Sequence, residues 1–305
     1  MFGSIAIIGT GAVGGYYGGR LAQHGHDVHF LLRSDYNYVR EHGLGVRSIA
    51  GDFSLTPQQM HVYNDSAAML KADLVIVALK STENHQFARL IPPLLHETTA
   101  ILTLQNGLGN EEDLAQLFGA RRILGGIAFT CINRTSSGMI EHLDHGLIRV
   151  GEFEGQPRSD RSAALAQMFN ASGVKAQVVD DLRGGRWDKL VWNVPFNGLG
   201  ALLDRTTDRL LDTPQGEAIV LAVMNEVMAA AKADGVTLAA DAPAKKIALT
   251  RSMGSYRTSM QLDRQSKRHL EVEAIIGRPL RIAQAAQVGV PLMELLYLAL
   301  STPLA

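Results

Sequence analysis

Ser4-Ile5-Ala6-Ile7-Ile8-Gly9-Thr10-Gly11-Ala12-Val13-Gly14 is the stretch whose reading decides the fold. A short β-rich apolar run ends in G-x-G-x-x-G, and Val13 to Gln23 continues with helical spacing. Gly9 permits a tight turn, Gly11 lets the backbone approach a pyrophosphate, and Gly14 lets helix and strand pack closely. The N–H groups opening the helix supply partial positive charge to an anion. Gly9, Thr10, Gly11, Ala12, Val13 and Gly14 are therefore candidate dinucleotide-binding residues; the plain alternative is a structural turn.

Working outward, Asp27 to Leu32 reads as a second strand and completes a βαβ start. The apolar runs Leu74 to Leu79 and Ala100 to Leu104 are continuous rather than alternating, as strands covered on both faces should be. Helical patterns at Glu83 to Leu90 and Glu111 to Phe118 keep the rhythm of a Rossmann-type doubly wound parallel sheet. Ile127 to Gly151 changes character: Thr135 to Gly138 is a turn cluster, and Met139 to Val150 reads as antiparallel edge strands. After Val179 the strands stop. Helices are expected at Gly216 to Ala233, Pro243 to Met253, Leu270 to Ile276 and Pro291 to Leu300, with breaks at Gly235, Gly254, Gly277 and Gly289. The fold class is thus α/β followed by an all-helical C-terminal domain. The expected boundary lies near residue 182: a dinucleotide-binding domain over 1–182 and a helical substrate and catalytic domain over 183–305.

A chain of 305 residues is long enough for two such cores. Its 29 Lys plus Arg against 30 Asp plus Glu give a net charge of -1, which argues against nucleic acid or an anionic membrane surface as partner. The longest helical apolar stretch, Ala218 to Ala231, carries Asn225 and Glu226 and falls short of the ~20 residues of a membrane span. Met1-Phe2-Gly3-Ser4 has no basic export region, and the single Cys131 cannot form an internal disulfide, so a cytoplasmic location is expected. The histidines join no cysteine or carboxylate at metal spacing, and no metal is expected.

The second strand is followed by Arg33, where an NAD-specific protein would place a carboxylate on the ribose. A guanidinium there suits a 2′-phosphate, so NADP(H) is expected over NAD(H), a solvated surface arginine being the alternative. Lys80 and Asn106-Gly107 follow the third and fourth long runs, where strand ends open onto the ligand crevice of such sheets.

Gly184-Gly185-Arg186-Trp187-Asp188-Lys189-Leu190-Val191-Trp192-Asn193-Val194-Pro195-Phe196-Asn197 opens the second domain. Lys189, Asn193 and Asn197 stand at i, i+4 and i+8, so one helix face carries all three. A polar stripe on an otherwise apolar helix is costly to bury unless it meets a partner, which points to a ligand rather than to a surface stripe. An enclosed lysine has its ammonium disfavoured and becomes a competent proton donor near neutral pH. Pro195 removes the hydrogen bond to the carbonyl of Val191 and predicts a kink.

Together these residues resemble the ketopantoate reductase (2-dehydropantoate 2-reductase) family over essentially the whole chain. The carriers are the Gly9 to Gly14 loop, Arg33, Lys80, Asn106-Gly107, Trp187 to Leu190 with Asn193 and Asn197, Ser259-Met260, and Glu271 within Leu270 to Glu273. The resemblance implies NADPH-dependent reduction of a 2-keto acid to a 2-hydroxy acid, with Lys189 as general acid and Glu271 bound to the substrate. It also implies that Asn106, Asn193, Asn197 and Ser259 surround substrate and nicotinamide. Two departures stand out. Asn-Pro-Leu-Thr of the family is Asn197-Gly198-Leu199-Gly200, and tyrosine and asparagine after the glutamate are Ala274 and Ile276. The reading is therefore 2-dehydropantoate reduction for pantothenate synthesis, with a dehydrogenase for a different, bulkier 2-hydroxy acid or a nonenzymatic NADPH sensor as alternatives. A homodimer is left open.

Overall fold

The computed structural model describes residues 2–154 and 158–302. The remaining ends of the expected domain ranges, 1 and 303–305, lie outside the described residues. The chain divides into two compact units, Met1–Gln105 with Asn110–Leu182, and Asn106–Gly109 with Arg183–Ala305.

The first unit is built on a 10-stranded sheet. Its strands are β1 (Ser4–Ile8), β2 (Asp27–Leu31), β3 (Leu44–Ser48), β4 (Phe53–Leu55), β5 (His61–Tyr63), β6 (Leu74–Val77), β7 (Ala100–Thr103), β8 (Ile123–Ser136), β9 (Met139–Glu152) and β10 (Ala176–Val178). They are joined or flanked by helices α1 (Ala12–Gln23), α2 (Tyr36–His42), α3 (Phe87–Leu90), α4 (Asn110–Phe118) and α5 (Asp160–Ala171). The order is β4-β3-β9-β8-β7-β6-β1-β2-β5, with β10 beside β9. The run from β8 to β5 is parallel throughout. Its central strands β1, β6 and β7 are nearly continuous apolar runs because successive side chains enter opposite layers. Ile5, Ile7, Leu74 and Ile76 join the core on one face, whereas Ala6, Ile8, Val75 and Val77 join that on the other. The expected doubly wound sheet is the observed architecture.

Two local expectations are corrected. β8 and β9 are antiparallel, but they are not edge strands: each has 14 residues, and β9 takes β3 beside Met139–His142 and β10 beside Ile148–Val150. A strand that long can serve partners along separate stretches, and β4 and β5 form the ends instead. The stretch expected to be helical over 83–90 is a 3-10 segment, Ser81–Gln86, followed by the single turn of α3.

The second unit is helical, with α6 (Leu182–Leu203), α7 (Thr207–Leu210), α8 (Pro214–Ala233), α9 (Ala242–Met253), α10 (Ser259–Gln265), α11 (Arg278–Ala285) and α12 (Pro291–Ser301). α6 runs through Pro195 as one continuous helix and buries Trp187, Leu190, Val191, Val194 and Phe196 in the unit's core. Gly277 does not end a helix as expected. A π-helical turn, Glu273–Gly277, leads straight into α11. Pro279 has no N–H for the carbonyl of Ile275, and the carbonyl of Ala274 accepts from Leu108 N at 2.9 Å, so the ordinary ladder is interrupted and the turn widens. Among the described residues no helix is long and apolar enough to cross a membrane.

Candidate active site

In the first unit the sheet order reverses direction between β1 and β6: β1 connects to β2 on one side, and β6 leads to β7 on the other. Ligands of open α/β sheets bind beyond the strand C-termini at such a point. The loop after β1 approaches the one after β6 so closely that a Cβ on Gly9 (φ +95°) would fall 2.6 Å from the backbone nitrogen of Leu79. A Cβ on Gly14 would lie 2.3 Å from the carbonyl oxygen of Gly9, which closes helix onto loop. Thr10 Oγ1 ties that loop to β2 by donating to the carbonyl of Leu31 at 2.9 Å. Gly11 faces open space, with nothing within 4 Å of where its Cβ would be, and no side chain caps α1. An uncapped helix start beside an open glycine fits a pyrophosphate.

Arg33 follows β2 with its side chain 86% exposed and its Nη1 3.4 Å from Glu83 Oε2. Arg134, which the sequence reading missed, contacts the same turn: its Nη1 lies 2.9 Å from Asp35 Oδ2 and donates to Ser34 Oγ at 3.3 Å. Only the long β8 brings Arg134 there, a separation of 100 residues from Ser34 that no local pattern signals. Lys80 stands at the N-cap of the 3-10 segment after β6. The residues present fit a dinucleotide carrying a 2′-phosphate.

The second unit assembles the other candidates on α6, and its rotation is fixed by anchors on both sides. Trp187 Nε1 donates to Asp234 Oδ2 at 2.7 Å, Trp192 Nε1 donates to Thr250 Oγ1 at 2.8 Å, and Asp188 pairs with Lys246 at 3.0 Å. The polar stripe is thereby turned inward: Asn193 is 5% exposed and Asn197 3%. Asn197 Oδ1 accepts from Met260 N at 3.3 Å and from Ser259 Oγ at 3.4 Å, at the start of α10. Buried amides on one helix face need hydrogen-bond partners, which protein, ligand or water can supply.

Lys189 Nζ donates to Asn106 Oδ1 at 2.6 Å. Asn106 is brought to it by its own loop: Gly107 (φ +89°) passes so near the π-helical turn that a Cβ would fall 2.3 Å from the Ala274 carbonyl oxygen. Lys189 is half-buried, and the loss of solvent around its ammonium is the largest influence bringing its pKa from 10.5 down to about 7. The Arg186 guanidinium, one turn earlier, lowers it further, while the Glu271 carboxylate opposes them. Arg186 and Glu271 are both buried. Arg186 is a further charged residue of this site beyond those expected from the sequence, and its i, i+3 spacing to Lys189 is the signal for it. The arrangement can hold a proton near neutrality beside buried amides and one carboxylate.

The departures Ala274 and Ile276 are both buried. Ala274 meets Gly107, and Ile276 sits in the helical core near Gly198.

Residues 5–155 match the family described as ketopantoate reductase PanE/ApbA, and residues 181–303 match its C-terminal part. The chain belongs to the ketopantoate reductase family. It is 44% identical over 296 residues to a 2-dehydropantoate 2-reductase of Nostoc sp., covering 96% of this chain and 92% of that one. The crystal structure of 2-dehydropantoate 2-reductase from Geobacter metallireducens superposes with a TM-score of 0.95 at 44% identity, over 98% of this chain and 99% of that one. That from Methylococcus capsulatus gives 0.88 at 32% identity, over 98% and 96%. Membership in the ketopantoate reductase family makes the chain an oxidoreductase and agrees with the resemblance drawn from its sequence.

Proposed function

We propose that the chain is an NADPH-dependent reductase that converts a 2-keto acid into a 2-hydroxy acid, and that the reaction is 2-dehydropantoate to pantoate in pantothenate synthesis. The observation that carries this reading is Lys189, with a pKa of about 7 and Nζ held 2.6 Å from Asn106 Oδ1 among buried polar groups. Bound NADPH supplies hydride to the carbonyl carbon. Lys189 Nζ, in its ammonium form, gives a proton to the carbonyl oxygen as negative charge gathers there. Asn106 fixes the direction of that ammonium. Asn193, Asn197 and Ser259 offer hydrogen bonds to the substrate, and Glu271 accepts one from a substrate hydroxyl. A buried carboxylate repels an anionic keto acid unless such a hydroxyl meets it, which suits the hydroxylated 2-dehydropantoate.

Gly9 to Gly14 hold the pyrophosphate in this reading, Arg33 the 2′-phosphate, and Lys80 and Asn106 complete the cofactor contacts. The bulkier-substrate alternative rests on Ala274 and Ile276, which are both buried, Ala274 beside Gly107 and Ile276 in the helical core. A cytoplasmic location and a homodimer remain parts of the proposal. The deciding experiment is a steady-state screen of 2-keto acids with NADPH and NADH. 2-Dehydropantoate with NADPH should give the highest kcat/KM; a preference for its deoxy analogue or for an aromatic keto acid would overturn the substrate.

A further inference from the structure

We infer that Glu83 sets how strongly the enzyme prefers NADPH over NADH, an inference that rests on the assignment of Arg33 to the 2′-phosphate. Glu83 Oε2 is 3.4 Å from Arg33 Nη1, and the two side chains are unequal partners, 26% exposed for Glu83 and 86% for Arg33. Glu83 belongs to the 3-10 segment that Lys80 opens, and its N–H donates to the Lys80 carbonyl at 2.9 Å. The segment that carries the carboxylate is thereby held by backbone structure, and the guanidinium is the more exposed partner.

The second guanidinium at this turn is also matched, since Arg134 pairs with Asp35, whose side chain is 9% exposed. Arg33, Asp35, Glu83 and Arg134 together carry no net formal charge. A dianionic phosphate arriving there meets one carboxylate for each arginine and must share Arg33 with Glu83. A ribose 2′-hydroxyl meets the opposite situation, because Glu83 offers it an acceptor and exacts no repulsion. The pair thus blunts the gain that Arg33 gives NADPH and makes NADH a better competitor than the arginine alone would allow.

The test uses dissociation constants of both reduced nucleotides, read from their fluorescence at low ionic strength, for the full chain and two variants. Glu83→Gln keeps the shape and removes the charge. It should tighten NADPH by about three- to tenfold, with NADH unchanged or weaker, so that the ratio of the two constants shifts toward NADPH. An unchanged ratio, or a shift toward NADH, overturns the role of Glu83. Arg33→Ala tests the underlying assignment separately. A loss confined to NADPH supports it, and equal losses for both nucleotides overturn it. Failure of Glu83→Gln beside an Arg33→Ala that discriminates would sink this inference and leave the proposed cofactor standing.

Discussion

As the proposed proton donor, Lys189 is better suited at a pKa of about 7 than at 10.5, because an acid matched to neutral pH combines a populated ammonium with an easy transfer. The reductive direction needs that ammonium, so kcat/KM should be full below pH 7 and fall by about tenfold per unit above it. The oxidative direction should show the mirror profile. Arg186 helps hold the pKa down and Glu271 holds it up, which fixes the sign of two variants. Arg186→Gln should carry the alkaline limb to higher pH, and Glu271→Gln should carry it lower. Both shifts are read from kcat/KM profiles with the same substrate. A limb that stays in place in Arg186→Gln would remove the arginine from the tuning of Lys189. The stripe Lys189, Asn193, Asn197 was visible in the sequence because helical spacing alone aligns it. The tuning was not, since desolvation is a property of what surrounds the side chain.

The π-helical turn shows where local patterns stop being informative. Gly277 reads as a helix stop, yet the chain continues helically through it, because the interruption is caused by Pro279 further on and by Leu108 N, which donates to the Ala274 carbonyl from another part of the chain. The same limit applies to β4, β5 and β10, which have 3 residues each and exist through their neighbours in the sheet. Gly107 is the point at which the loop carrying Asn106 can pass the turn. Gly107→Ala would place a Cβ against the Ala274 carbonyl and force a β-carbon onto a φ of +89°. The expected outcome is a loss of roughly 1–3 kcal/mol of stability in denaturant unfolding. Turnover should fall by more than the folded fraction, because Asn106 no longer orients Lys189. Wild-type stability in that variant would show that the loop yields at no cost.

The chain separates its proposed tasks between its two units. Gly9 to Gly14, Arg33 and Lys80 belong to the first, whereas Asn106, Lys189, Asn193, Asn197, Ser259 and Glu271 belong to the second. The sheet and the helical half were legible because a glycine-rich turn after an apolar strand, and the disappearance of strands after Val179, are long-range consequences of strongly periodic sequence. The grouping of Asn106 to Gly109 with the helical unit was not legible, since it depends on contacts far apart in sequence: Lys189 to Asn106, Leu108 to the Ala274 carbonyl, and the close passages of Gly107 at Ala274 and of Gly109 at Arg278. If the tasks are separate, the damage should be separable too. Lys189→Ala should lower kcat by about 10²–10⁴ while leaving the dissociation constant of NADPH close to that of the unaltered enzyme. Arg33→Ala should do the reverse: a charged hydrogen bond of ~1.5–3 kcal/mol corresponds to a loss of NADPH affinity of roughly ten- to a hundredfold, with kcat recovered at saturating cofactor. Binding and single-turnover measurements on the same preparations read both quantities. Near-normal turnover without the lysine would exclude Lys189 as the acid, and a kcat that cofactor cannot restore in Arg33→Ala would tie the arginine to the chemical step, so either result would break the division of labour.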